Sequence, residues 1–286
     1  MTTKLEDELG DVLEKARDGK DWSQADLART AQVSPDVITQ IENYETVPDD
    51  NTIINLAHVL DLHPPSLIDV ARGNWVPLPP TPDPEKFEVV CLNLLVGFYP
   101  VKCYLLICRE TRSSAVIDTG GNPDAVIKKA TELGLKPEKI LLTHAHFDHA
   151  GGLQKLDKAF ACPVWIDKKE PKPSGSRNYK YIADGEILKL GKINIEILFT
   201  PGHTSGGVSY KVGDTVFSGD SIFAGSMGRA NSSWTTLFES VTQKLLTLPD
   251  ETRLFPGHGP ATTVIQEKMH NPFFFGKATS RQKNKF

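Results

Sequence analysis

The stretch THAHFDHAGG, from Thr143 to Gly152, decides how the rest of the chain is interpreted. It places three imidazoles and one carboxylate within six consecutive residues, namely His144, His146, Asp148 and His149. The stretch follows KILL, a short apolar run that is typical of a buried strand. Because imidazole and carboxylate together suit zinc, iron or manganese, this spacing predicts a metal site in a loop that begins at a strand end.

Four further polar residues occupy comparable places along the chain. Each lies beside or close to glycine and follows a strand-like run: Asp118 in VIDTGG, His203 in LFTPGH, Asp220 in VFSGDS and His258 in LFPGHG. Strand ends hold their loops rigidly at one edge of a sheet, which brings side chains from different loops together. These residues and the histidine cluster are therefore predicted to converge on one site.

A proline-rich segment divides the chain of 286 residues. Five of the nine residues in VPLPPTPDP are proline, and such a segment cannot continue a helix or a central strand. Apolar spacing before it predicts five helices, whereas strand-like and helix-like runs are mixed after it. We therefore predict a small all-α domain at 1–75, a semi-rigid linker at 76–84, an α/β sandwich at 85–275 and a basic tail at 276–286.

The ordered motifs resemble those of the metallo-β-lactamase superfamily over about residues 85–275. The resemblance implies an αββα sandwich with two divalent metal ions, zinc first and iron or manganese as alternatives. It implies that the first metal is bound by His144, His146 and His203, the second by Asp148, His149 and His258, and that Asp220 bridges both. Asp118 matches an early strand-end aspartate of the superfamily that supports a ligand instead of binding metal.

The ligand set predicts a hydrolase acting on a small-molecule substrate. Two metals that share one water lower its pKa, so a metal-bridged hydroxide is the expected nucleophile, with Asp148 as a catalytic residue. The stretch FSGDSIFAGSMGRA resembles the glyoxalase II-like group, in its short form, which implies hydrolysis of a thioester or similar small acyl ester. That group commonly has an aspartate shortly after the arginine, where this chain reads RANSSW. Arg229 is predicted to bind an anionic substrate, with pairing to a carboxylate of the protein as the alternative.

The first domain resembles the lambda-repressor/Cro type of helix-turn-helix over about residues 8–70. SQADLA matches the first helix, QVS the turn and VITQIEN the recognition helix, which in that family enters the major groove of DNA. Residues 1–75 contain six Lys/Arg and fifteen Asp/Glu, a net charge of −9, which leaves +5 for the rest of a chain whose total is −4. Because DNA affinity depends on neutralising phosphates, this charge favours docking or homodimer formation over DNA as a partner.

Three alternatives stay open at this point. Lactone or phosphodiester hydrolysis would use the same site, and a mononuclear-iron persulfide dioxygenase would need only a subset of the ligands. A DNA-binding transcriptional regulator would use the helix-turn-helix to bind DNA and the metal-site domain as a sensor.

Membrane and secretion signals are not expected. No apolar run reaches the roughly 18 residues that span a bilayer. The opening MTTKLEDELG lacks the basic start and apolar core of a secretory signal. We therefore expect a cytoplasmic protein with no membrane partner.

Overall fold

A small helical unit is followed by two β-sheets with helices on their outer faces in the computed structural model, which describes residues 4–81 and 83–277. The predicted basic tail, 276–286, lies outside the described residues beyond 277. No helix of the described part combines the length and apolarity that a membrane crossing requires.

The predicted five helices form before the linker. Ser23 begins the second helix with a side chain that accepts the N–H of Asp26, and Ser34 with Pro35 begins the third. Both starts follow from the sequence, because a serine side chain accepts a free N–H of the helix start and proline, which has no N–H, leaves one fewer donor unpaired. The helices are α1 Leu9–Asp18, α2 Gln24–Ala31, α3 Pro35–Glu42, α4 Asp50–Val59 and α5 Pro64–Arg72.

The first sheet has six strands in sequence order. Its first two strands form a long antiparallel hairpin, the third is antiparallel to the second, and the remaining pairs are parallel. The strands are β1 Phe87–Val96, β2 Tyr99–Cys108, β3 Ser114–Ile117, β4 Lys139–Leu141, β5 Val164–Ile166 and β6 Tyr179–Tyr181.

The second sheet has the strand order β12-β11-β10-β9-β8-β7. Strands β7 and β8 form one antiparallel hairpin, and β9 and β10 form another. The strands are β7 Ile187–Leu190, β8 Ile193–Phe199, β9 Val208–Val212, β10 Thr215–Gly219, β11 Arg253–Pro256 and β12 Thr262–Thr263.

Helices cover both sheets. Those outside the first sheet are α6 Pro123–Glu132 and α8 Leu153–Phe160, with the short α7 Phe147–Ala150 before α8. Those on the side of the second sheet are α9 Trp234–Ser240, which continues as a π-helical turn over Val241–Leu245, and α10 Val264–His270.

Alternate residues of β2 show how the layers are held. Leu105 belongs to the cluster with α6 and α8, whereas Tyr104 and Leu106 belong to the cluster between the two sheets. This alternation follows from the two-residue period of a strand. The predicted αββα sandwich is confirmed.

A third apolar cluster joins the helical unit to the sandwich. Buried side chains of α1–α5, such as Leu13 and Leu27, belong to the same cluster as Leu237 of α9 and Phe273 after α10. The linker also lies against the sandwich, since Leu78 N–H donates to Gln266 Oε1 at 2.6 Å. The helical unit is therefore packed on the second sheet's side of the sandwich.

Candidate metal centre

Five strands end at the edge where the predicted ligands lie. Strands β3, β4, β8, β10 and β11 lead respectively to Asp118, to the histidine cluster, to His203, to Asp220 and to His258. The structure brings all seven predicted ligands together there. They form three overlapping groups whose donor atoms lie within 4.8 Å of one another: His144, His146 and His203; His144, His149 and Asp220; and Asp148, His149 and His258.

The first group consists of three imidazoles with nitrogens facing one point. His146 Nδ1 lies 3.1 Å from His144 Nε2 and 3.0 Å from His203 Nε2. His144 and His203 are buried, and His146 is half-buried.

The second group combines two imidazoles with a carboxylate. Asp148 Oδ2 lies 3.2 Å from His258 Nε2 and 3.7 Å from His149 Nε2. His149 and His258 face each other through their Nε2 atoms at 3.3 Å. His149 is fully buried, while the side chain of Asp148 keeps 30% of its surface exposed, so this group is open on one side.

Asp220 lies between the two groups. Its Oδ1 is 3.3 Å from His149 Nε2, and its Oδ2 is 3.5 Å from both His203 Nε2 and His258 Nε2. Oδ1 is buried and finds no hydrogen-bond donor among the described residues. A side chain at Gly257 would fill this space, since a Cβ there would lie 2.3 Å from Oδ1. Asp220 is therefore within reach of the nitrogens of both groups.

In three of the imidazoles, Nδ1 points away from the centre, and its hydrogen bond fixes the tautomer. His203 Nδ1 donates to the carbonyl of Arg229 at 2.7 Å, and His258 Nδ1 donates to that of Pro100 at 2.6 Å. His149 Nδ1 lies 2.8 Å from the Asp118 carboxylate. Carbonyl and carboxylate oxygens only accept, so Nδ1 carries a proton in each ring, and Nε2, the nitrogen turned inward, offers a lone pair when the ring is neutral. Converging lone pairs around an unsatisfied carboxylate fit divalent cations.

Burial and charge shift the pKa values of the centre. Burial holds the pKa of His144 well below its usual value, and burial likewise lowers that of His203, so both rings are neutral and able to bind metal. Burial opposes the charged forms of Asp220 and His258, but their mutual attraction is stronger. The negative charge of Asp220 raises the pKa of His258 to about 10. The charges of His149 and His258 in turn hold the pKa of Asp220 well below its usual value. The second group thus retains positive charge, which a metal would replace.

Asp118 is placed as a support. Its Oδ1 accepts the backbone N–H of Thr143 at 2.8 Å, and its Oδ2 faces both the hydroxyl of Thr143 and Nδ1 of His149. Its backbone is left-handed, with φ at +53°. This conformation is unfavourable for a non-glycine residue and is held here by the surrounding contacts.

Glu170 is a supporting residue that the sequence analysis did not identify. Its buried carboxylate accepts the N–H of Ala145 at 2.8 Å and that of Gly206 at 2.9 Å. It therefore ties the histidine cluster to the loop after His203. The surrounding DKKEPK has the composition of a solvated surface, so the local sequence contains no signal of this role.

The guanidinium of Arg229 pairs with Glu14 at 2.5 Å and with Asp18 at 3.1 Å, both on α1. This placement agrees with the alternative of pairing to a protein carboxylate. A role in binding an anionic substrate stays a prediction.

The chain matches two protein families. "Metallo-beta-lactamase superfamily" matches residues 96–258, and "Helix-turn-helix" matches residues 13–67. Both matches fall on the parts of the chain for which the sequence showed a resemblance.

Curated relatives align with the sandwich. The chain is 38% identical over 204 residues to a probable metallo-hydrolase, YqgX, of Bacillus subtilis, covering 63% of this chain and 95% of the relative. It is 34% identical over 196 residues to the hydroxyacylglutathione hydrolase GloC of Haemophilus influenzae, covering 60% and 92%.

Two solved structures are similar to the same part of the chain. The BLEG-1 B3 metallo-beta-lactamase has a TM-score of 0.61 at 31% identity, covering 66% of this chain and all of that one. TTHA1623 in a di-iron-bound form has a TM-score of 0.56 at 34% identity, covering 64% and 99%. With its sandwich and its cluster of histidines and carboxylates behind an N-terminal helix-turn-helix unit, the chain belongs to the metallo-beta-lactamase superfamily.

Proposed function

We propose that the protein is a binuclear metal-dependent hydrolase that cleaves a thioester or a similar small acyl ester. The observation that supports this most directly is the convergence of imidazole lone pairs on both sides of Asp220. His144, His146 and His203 would hold one cation, and Asp148, His149 and His258 the other. Zinc is the first choice, and the di-iron form of TTHA1623 supports iron as an alternative.

Two cations held in this way would supply a water acidic enough to be a nucleophile near neutral pH and would polarise the acyl carbonyl. The residues of the chain orient that chemistry. Asp148 is the more exposed of the two ligand carboxylates, so it can accept a hydrogen bond from the attacking water. Asp220, buried between the groups, fixes their separation.

Similarity to a hydroxyacylglutathione hydrolase supports a thioester as substrate. The test is to purify the full chain without added metal and measure its metal content by mass spectrometry. The same sample is then assayed for thiol release from a hydroxyacyl-glutathione thioester and from a simple acyl thioester, beside the matched oxygen ester. We expect close to two metals per chain and faster release from the thioesters.

Other outcomes would redirect the assignment. One iron per chain without thiol release would contradict the hydrolase and favour mononuclear-iron oxidation of a persulfide. Metal without turnover of any ester would contradict the substrate class.

A regulator is the second candidate, favoured by the helix-turn-helix and by its exposed recognition helix. Asp36, Thr39 and Gln40 of α3 are all exposed, so the face that would meet DNA is free in the structure. However, α3 has no Lys or Arg, and Glu42 is already paired with Arg17 at 2.9 Å. We therefore propose docking, including homodimer formation, as the main role of this unit. A gel shift at low salt with mixed-sequence duplex DNA should show no complex; a shifted band would favour the regulator.

A further inference from the structure

Arg229 connects the helix-turn-helix unit to the sandwich through its side chain. Nη2 lies 2.5 Å from Glu14 Oε2, and Nη1 lies 3.1 Å from Asp18 Oδ2. Residues 14 and 18 are one turn apart on α1, so they form a pair of carboxylates on one face of that helix. The guanidinium is a planar donor group, and two carboxylates on different Nη atoms fix its orientation.

The backbone of the same residue faces the metal centre. The Arg229 carbonyl accepts the Nδ1 proton of His203 at 2.7 Å. This hydrogen bond determines both the ring orientation and the tautomer of His203, because a carbonyl cannot donate. Arg229 is therefore in contact with α1 through its side chain and with a predicted ligand through its main chain.

Neighbouring contacts hold the rest of the same loop against α1. The buried Lys15 ammonium donates to the carbonyl of Met227 at 2.8 Å and also pairs with Asp7. Asp7 in turn accepts the hydroxyl of Ser226. On the far side of Arg229, Gly19 lies against the indole of Trp234, where a Cβ would come within 2.3 Å of the ring. The loop from 226 to 234 is thus held before, at and after Arg229 by residues 7–19, which lie on α1 or next to its ends.

We propose that Arg229 is a positioning residue whose clamping by Glu14 and Asp18 holds His203 in its metal-binding orientation, so that the helix-turn-helix unit is a structural part of the metal centre. This inference rests on the proposed metal site. A partly exposed ion pair contributes little to folding stability. Its loss is therefore expected to change the metal site more than the melting temperature.

The test uses Co²⁺ as the probe on the full-length protein, because its visible absorption bands report on ligand geometry. Arg229→Met and the double variant Glu14→Gln/Asp18→Asn should each weaken the tighter Co²⁺ binding by about 10- to 100-fold in competition with a chelator, as loss of a ligand's supporting partner does. Both should also shift the absorption bands. Their melting temperatures should stay close to that of the wild type.

The ion pair between Glu88 of β1 and Arg109, which directly follows β2, provides a matched control. The pair between Arg109 and Glu88 spans 3.3 Å, and its side chains are exposed to a similar degree as those of Arg229 and Glu14. Arg109→Gln should leave Co²⁺ affinity and spectrum unchanged. Reversing the pair, as Glu14→Arg with Arg229→Glu in an Asp18→Asn background, should recover part of the affinity.

Wild-type Co²⁺ affinity and spectrum in a folded Arg229→Met protein would overturn the inference. If Arg229→Met does not fold, the double variant on α1 decides in the same way, because it leaves the loop sequence intact. Failure of the proposed substrate is a separate result: a wild type that binds Co²⁺ but cleaves no thioester leaves this inference standing. A wild type that binds no metal overturns both.

Discussion

Asp118 Oδ2 lies 2.8 Å from Nδ1 of His149, and both side chains are buried. Because the carboxylate only accepts, it keeps a proton of His149 on Nδ1, so that Nε2 is the nitrogen that would bind a metal. Oδ1 of the same carboxylate is occupied by the N–H of Thr143, so the group cannot turn.

Asp118→Asn should reverse this tautomer. The amide oxygen would remain with the N–H of Thr143, and the amide nitrogen would donate to His149 Nδ1, which moves the ring proton to Nε2. We expect metal affinity at the second group to fall by about 10- to 100-fold. Chelator competition followed by metal analysis checks this. Asp124→Asn, at an exposed carboxylate paired with Lys155, should have no effect.

Asp148→Ala removes the carboxylate that lies 3.2 Å from His258 Nε2 on the open side of the centre. The expected result is a fall from about two metals to about one per chain, with hydrolysis reduced by at least about 100-fold, since the second cation is lost. Metal analysis and thiol release on the same sample measure both effects. A variant that kept two metals and full activity would contradict the proposed mechanism.

Lys15→Met should destabilise the fold. Both Lys15 and Asp7 are buried, and removing the ammonium leaves the Asp7 carboxylate with the Ser226 hydroxyl but without its charge partner. We expect the free energy of unfolding to fall by about 3 kcal/mol. Lys155→Met, which breaks an exposed pair with Asp124, should cost no more than about 1 kcal/mol. Equal losses in the two variants would show that burial of the pair is unimportant.

The buried Glu267 should make stability depend on pH. Burial raises the pKa of this carboxyl from an ordinary value of 4.5 to about 7 in the folded chain. Between these pH values the unfolded chain loses the proton and the folded chain keeps it, so stability falls as pH rises through this window and is level above it. The advantage of wild type over Glu267→Gln should therefore shrink by up to about 3 kcal/mol from pH 4.5 to pH 7. Denaturant unfolding at both pH values measures it, and an unchanged difference would show that Glu267 does not titrate there.

The sequence predicted the sandwich, and it placed the candidate ligands at one edge of it, because both depend on local patterns. Short apolar runs ended by glycine define strands whose ends meet at one edge, and His144 or His258 needs only that placement to reach the site. Strand β6 is different, because its sequence YKY follows a polar segment and has no apolar pattern. Only its pairing with β5 in the folded chain identifies it as a strand.

Contacts across long stretches of the chain were not predictable in the same way. The five residues directly after Arg229, ANSSW, contain no carboxylate, which left its partner open. The partners, Glu14 and Asp18, lie more than 200 positions earlier, on a helix whose acidic face is typical of solvent exposure. Glu170 is similar, because only the fold brings it to the N–H groups of Ala145 and Gly206.

The apolar cluster shared by the helix-turn-helix and the sandwich couples the unfolding of the two units. Two units joined by a linker alone would unfold independently and could be exchanged between proteins. Here Leu13 and Leu27 share one cluster with Leu237 and Phe273. Separating the two units would expose apolar surface to water, which costs about 25 cal/mol of free energy per Å². We therefore expect the two units to unfold together, and the two pieces to stay associated after cleavage in the proline-rich linker.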